Sequence, residues 1–198
     1  AETGQRVWHF QAVHHGLWDY DFPTAGNLLD ITVDGRTIKA IAQPSKQAFT
    51  YVFNRATGEP VWPIEERPVP SGNVPGEWYA PTQPFPTKPP PFDLQGIEID
   101  DLVDFTPELR EEAIRIASRA QLVPMFYPPD VRGEAKPIIQ SPGPGGGINW
   151  PGAAADPETG LLFVPSQTRL RAVELVKYEA PATVGYFTDP WAVPVPGP

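Results

Sequence analysis

Three patterns predict an all-β chain assembled from successive antiparallel sheets. The first is alternation across Gln5–His14, where Val7, His9, Gln11 and Val13 interleave with Trp8, Phe10 and Ala12. That period suits a strand buried at least partly on both faces. The second is Asp34-Gly35 between the apolar runs Leu28–Val33 and Thr37–Gln43, the pair that supplies the positive φ of a tight hairpin turn. The third is a repeat. Thr3-Gly4-Gln5-Arg6-Val7-Trp8 recurs as Thr57-Gly58-Glu59-Pro60-Val61-Trp62, an offset of 54 residues and within a few residues of a propeller-blade period. In that arrangement glycine turns the chain between the last two strands of a sheet, and each Trp packs against a neighbouring blade.

The elements follow in order. Ala1–Gly4 is a turn that reads like the interior of a hairpin, so the chain looks like a piece of something longer. Ala48–Asn54 is a strand with Phe49, Tyr51 and Phe53 on one face; it turns through Arg55–Gly58 into Glu59–Trp62. From Pro63 to Gln140 the strand rhythm breaks, which marks an insertion over about residues 63–140. Its first part, Trp62–Pro91, is proline-rich and expected to lie extended over a surface, and the prolines after Pro190 suggest another extended arm. One short helix starts at Thr106, with Thr as N-cap, Pro107 at the first helical position and Glu108 in the first turn. Its stripe of Leu109, Ala113, Ile116, Ala117 and Ala120 ends by Pro124 and predicts a helix packed on the sheet. Asp156–Gly160 before Leu161–Val164 is a hairpin of a later blade. Residues 1–198 are read as one segment of a single β-domain.

Composition narrows the function. The 198 residues carry a formal charge of −9, which argues against nucleic acid and against an anionic membrane surface, since both need a Lys/Arg patch. No apolar run approaches the roughly 18 residues of a membrane span. There is no cysteine, so disulfides and thiolate metal sites are excluded. No basic segment followed by an apolar stretch opens the chain, so no signal peptide is visible.

Chemistry-bearing residues concentrate in Val13–Pro23. This stretch holds His14, His15, Trp18, Asp19, Tyr20 and Asp21. Asp19 and Asp21 are two apart, so in extended backbone their side chains share a face, and if the backbone bends there, as Gly16 and Pro23 invite, both carboxylates can converge on one cation. A solvated loop with two surface aspartates is the plain alternative. His14 and His15 are read as structural, packed or hydrogen-bonded under the loop. The glycine-rich run Gly143–Gly152 lacks the Lys-Ser/Thr of a phosphate loop. Its glycines allow close approach to a flat ligand, with Asn149 and Trp150 presented beside them.

Trp8-His9-Phe10-Gln11, His14-His15-x-Leu17-Trp18-Asp19-Tyr20-Asp21, Leu29–Gly35 and Lys46 together resemble the pyrroloquinoline-quinone (PQQ)-dependent dehydrogenases. Within them the chain looks nearest to the glucose and quinate/shikimate branch, and Pro81–Phe85 and Gly145–Asp156 carry the same likeness. The resemblance implies part of an eight-bladed β-propeller that binds PQQ and an ion, calcium, magnesium or a lanthanide. It assigns Asp19 as general base on the substrate hydroxyl, Lys46, Asn149 and Trp150 to the cofactor, and Asp19 and Asp21 to the ion. It further implies a sugar or alcohol substrate, a quinone or cytochrome c electron acceptor, and a place in the periplasm or facing it at the inner membrane. Gly16 departs from the family pattern, which usually has Asp there. The family's other ion ligands belong to blades outside this chain. Loss of the Gly16 side chain and of those blades keeps a rival open: a propeller scaffold, or inactive fragment, without catalysis.

Overall fold

The computed structural model describes residues 2–178 and 185–189; the proline-rich arm expected after Pro190 lies outside them. The regular elements are mainly strands, with one short α-helix. The hairpin is where the turn chemistry puts it: β1 (Asn27–Val33) pairs antiparallel with β2 (Arg36–Pro44), with Val33 opposite Arg36. Asp34 and Gly35 both take positive φ, 49° and 76°, as a two-residue turn of this hand requires. An added Cβ on Gly35 would touch nothing within 4 Å, so Gly35→Ala tests backbone strain alone. The expected cost is about 1–2 kcal/mol, the penalty of the left-handed region for a residue with Cβ, readable as a lower urea midpoint at unchanged slope.

β3 (Thr50–Asn54) completes a three-stranded sheet in the order β1-β2-β3. Its side chains alternate as expected. Phe49, Tyr51 and Phe53 join Trp18, Tyr20 and Phe126 in an aromatic cluster on one face, while Val52 packs on the other with Leu29, Ala40 and Ala42. Each such apolar side chain contributes roughly 1.5–3 kcal/mol when fully buried. The two repeated tryptophans cover opposite faces of this sheet. Trp8 lies against Phe53, ring centres 5.7 Å apart, over the Gly58 turn. Trp62 packs on the Val52 face with Ala155 and Leu162.

Gln5–His14 is not a strand. It pairs with no strand among the described residues, and its two faces are unequally covered. Trp8, Phe10 and Ala12 turn inward, whereas Val7 is 84% exposed. Alternation there reports which side chains face the core. It does not report backbone pairing, and side chains tie the segment down instead: Trp8 Nε1 donates to the Arg55 carbonyl at 3.2 Å and Gln47 Nε2 to that of Ala12 at 2.9 Å.

The stretch 63–140 is more ordered than its proline content suggests. β4 (Ile64–Pro68) and β5 (Thr82–Pro86) form an antiparallel pair, and Gln83 and Pro84 are fully buried rather than laid over a surface. The helix α1 (Pro107–Ala117) begins as predicted, with Thr106 Oγ1 accepting from the Leu109 amide at 3.3 Å. It ends at Ala117, before Pro124. No helical residue is fully buried: Leu109 stands exposed, while Ala113, Ile116 and Ala117 of the stripe are half-buried. β6 (Gln121–Leu122) pairs parallel with β7 (Ile138–Gln140), a departure from all-antiparallel pairing. β8 (Ala154–Asp156) and β9 (Leu161–Phe163) make the expected later hairpin. β10 (Arg171–Lys177) and β11 (Tyr186–Asp189) complete a four-stranded sheet in the order β11-β10-β7-β6. Among the described residues no helix is long and apolar enough to cross a membrane.

Candidate active site

The connection from β2 to β3 is a loop buried along its whole length, Pro44 to Thr50. A buried loop must satisfy its backbone groups internally, and this one does. The Ser45 amide donates to Phe49 O at 2.9 Å, the Gly147 amide to Lys46 O at 3.0 Å, and Gln95 Nε2 to Gln47 O at 2.8 Å. Lys46 is therefore presented from a rigid base, its side chain only 9% exposed.

Its ammonium meets the two aspartates singled out by their spacing. Lys46 Nζ lies 2.9 Å from Asp19 Oδ2 and 2.7 Å from Asp21 Oδ1. Asp19 and Asp21 share a face because Trp18 and Tyr20 between and beside them are buried, anchored by Trp18 Nε1 to Tyr127 O (2.8 Å) and Tyr20 Oη to Pro142 O (2.6 Å). Burial opposes the Lys46 charge, but its hydrogen bonds to Asp21 and Asp19 outweigh that and raise its pKa above the ordinary lysine value. The ammonium is thus charged throughout the neutral range.

Asp19 holds φ at 62°, a left-handed conformation that a non-glycine residue keeps only when its surroundings enforce it. Three buried glutamines tie down the chain that leads into Asp19, and no sequence pattern marks them. Gln140 Nε2 donates to the Trp18 carbonyl at 3.0 Å, on the peptide that leads into Asp19. Gln83 clamps the His14 backbone, accepting from its N–H at 2.8 Å and donating to its C=O at 2.7 Å. Gln47 accepts from Tyr51 Oη at 2.9 Å while its amide holds Ala12. Isolated glutamines carry no periodic signal, so nothing in the sequence distinguishes them from surface residues.

His14 and His15 are hydrogen-bonded, as expected, to partners that pattern could not name. His14 Nε2 lies 2.9 Å from Glu66 Oε1, and His15 Nε2 lies 2.6 Å from Glu77 Oε1. For Glu66, partial burial favours the neutral acid, but bonds from His14 and Thr82 outweigh it and hold the carboxyl below the usual range.

The glycine run closes on the protein itself. A Cβ on Gly146 would sit 2.5 Å from Lys46 Cγ, so this position needs glycine for the loop to seat against the lysine. Asn149 is folded back, its Nδ2 donating to Gly145 O at 3.0 Å and its Oδ1 accepting from the Trp150 amide at 2.9 Å. Trp150 projects outward, 84% exposed. The loop thus joins Lys46 to an available indole face, although neither Asn149 nor Trp150 contacts the aspartates.

Two clefts meet at Asp19. The larger, about 740 Å³, lies between the Val74–Tyr79 loop, Pro128-Pro129 and β11; the smaller, about 410 Å³, is bounded by Phe10–Val13 and Tyr20–Phe22. The family model for the β-propeller domain of PQQ glucose/ethanol/alcohol dehydrogenases matches residues 1–190. The chain belongs to this family. It is 38% identical to the glycerol dehydrogenase large subunit of Gluconobacter thailandicus over 166 residues, 82% of this chain and 22% of that protein. It is 36% identical to quinoprotein glucose dehydrogenase of Escherichia coli (strain K12) over 171 residues, 79% of this chain and 19% of that protein. Against the solved europium-containing methanol dehydrogenase the TM-score is 0.51 at 22% identity, covering 89% of this chain and 24% of that one, a likeness of fold. The chain spans about a fifth of the length of the relatives it matches.

The residues present suit the quinoprotein groups in part. Lys46 Nζ marks a point that two carboxylates already reach, and oxygen donors are what a hard cation takes. Two carboxylates are fewer than its six to eight ligands, and no cluster of three His, Asp or Glu side chains occurs among the described residues. This chain can therefore contribute part of an ion's shell. Gly16 leaves room for the family's aspartate: an added Cβ meets only Val13 Cγ1, at 3.7 Å, and the residue is exposed. Gly16→Asp is expected to shift stability by less than about 0.5 kcal/mol, as a surface change of no special geometry does, checked by thermal unfolding.

Proposed function

We propose that the protein containing this chain oxidises a sugar or alcohol hydroxyl with PQQ as acceptor, and that Asp19 is the general base. The observation that carries this reading is the Lys46 ammonium bridging Asp19 and Asp21 where two clefts meet. Asp19 Oδ2 is fixed by Lys46, while Oδ1 carries no hydrogen bond among the described residues. Oδ1 is therefore the atom that takes the hydroxyl proton. When bound, PQQ supplies the hydride acceptor and the ion the Lewis acid that polarises it. Lys46 holds a fixed positive charge beside the reacting centre, where negative charge grows during reduction. Asp19 and Asp21 would offer oxygen ligands to calcium, magnesium or a lanthanide, and Trp150 with Asn149 would bound the cofactor's flat face.

The names of the relatives support this class: one oxidises glycerol, one glucose. A third, 31% identical over 89% of this chain, is the quinate/shikimate dehydrogenase (quinone) of Acinetobacter baylyi (strain ATCC 33305 / BD413 / ADP1). We take the electron acceptor to be a membrane quinone or a cytochrome c, and the reaction to face the periplasm. The test is dye-linked oxidation by the full-length protein, with PQQ and either calcium or a lanthanide added. Substrate-dependent dye reduction with glucose, glycerol, quinate or 1-propanol is expected. A properly folded protein that retains PQQ and oxidises none of them overturns the proposal.

A further inference from the structure

We propose that Glu77 is a specificity-determining residue of this site, holding a second hydroxyl of a neutral polyhydroxy substrate while Asp19 faces the reacting one. The inference rests on the alcohol-oxidising reading above and deepens it. Asp19 and Glu77 line the same cleft of about 740 Å³, within the size range of small-molecule sites.

Glu77 is held in place as a binding group. Its Oε1 accepts from the Trp78 amide at 2.9 Å and is 2.6 Å from His15 Nε2. The His15 ring lies against the Trp78 indole, centres 3.9 Å apart. Both contacts fall on one oxygen, so Oε2 carries no hydrogen bond among the described residues and is free for a ligand donor. A carboxylate oxygen accepts and cannot donate when ionised, so the ligand group must be a donor, and a hydroxyl is the donor an alcohol substrate has in excess. The side chain is two-thirds covered, which strengthens such a bond relative to water.

The rest of the wall agrees. Tyr79 and Phe187, with the largely buried Pro128 and Pro129 in the same wall, offer apolar surface that suits the C–H faces of a sugar ring. With Asp19 and Glu77 both acidic, a substrate that carries its own carboxylate meets like charge and is disfavoured. A hydrogen-bonding site also discriminates against the analogue that lacks the hydroxyl, because the protein group is left unpaired.

The test compares glucose, 1-propanol and quinate as substrates of the full-length holoenzyme. In Glu77→Ala the ratio of kcat/KM for glucose to that for 1-propanol is expected to fall about 10- to 100-fold, the usual worth of a hydrogen bond to a charged group, and to do so through KM. Glu77→Gln keeps an acceptor oxygen and should recover part of the loss while relieving the penalty on quinate. Calorimetric titration of glucose into the Asp19→Asn protein supplies a readout without turnover, and adding Glu77→Ala should abolish the heat. An unchanged ratio, or equal losses through kcat for glucose and 1-propanol, overturns the inference. Should Asp19→Asn leave oxidation of both alcohols intact, the reading of the site itself fails, a result separable from any outcome at Glu77.

Discussion

Asp19→Asn in the full-length protein should lower the oxidation rate by about two to four orders of magnitude, the usual range for a positioned general base. The substitution is nearly isosteric; it weakens the Lys46 ion pair to a hydrogen bond, but what holds the backbone there does not depend on the charge. Trp18 and Tyr20 on either side are buried and tied to Tyr127 and Pro142, and Gln140 holds the preceding carbonyl. The left-handed backbone at position 19 suits asparagine at least as well as aspartate. Fold and cofactor retention should therefore persist while proton acceptance is lost. Steady-state turnover with unchanged bound PQQ is the expected pairing; a variant as fast as the parent reduces Asp19 to a loop residue and favours the scaffold reading.

Lys46→Ala should act differently, through both the cofactor and the fold. The lysine stem fills the space against Gly146, and its ammonium is the sole cation paired with the two aspartates among the described residues. Without it, two carboxylates converge uncompensated. The raised pKa of Lys46 fixes the sign of the linked stability. The contribution is complete below the unfolded lysine pKa of about 10.5 and disappears only as pH climbs through the higher folded value. The variant should thus lose stability at neutral pH, with the difference from the parent narrowing only in strong alkali. Turnover should fall about 10²- to 10³-fold, the usual effect of removing one group that stabilises developing charge. PQQ titration against a folded sample separates the two effects: weaker binding or slower reduction is expected, and parent-like values for both would remove Lys46 from the site.

Much of this site was legible because side-chain alternation is a local property. Trp18 and Tyr20 turn inward and Asp19 and Asp21 outward as that alternation implies, although the backbone at Asp19 is left-handed rather than extended. The Asp34-Gly35 hairpin and the capped start of α1 were legible for the same reason, since each depends on a few adjacent residues. Lys46 had no such signal. It lies in a buried non-repetitive loop, and only the resemblance to the quinoprotein dehydrogenases connected it with Asp19. Gln5–His14 shows the opposite case, because its alternation reports which side chains face the core and carries no information on pairing. The supports Gln47, Gln83 and Gln140, and the cleft walls at Val74–Tyr79 and Pro128-Pro129, meet the site across gaps of up to 122 residues. Such contacts are set by tertiary packing, and proline-rich sequence carries no period from which to infer them.

The most direct measurement is an experimental structure of the full-length protein with PQQ and its ion bound. We expect a quinone oxygen within hydrogen-bonding reach of Lys46 Nζ, about 3 Å, with Asp19 Oδ1 turned toward the substrate space and a carboxylate of the Asp19–Asp21 pair on the ion. A cofactor seated elsewhere, with the Lys46–Asp19–Asp21 triplet intact and remote from it, would remove these residues from the catalytic site.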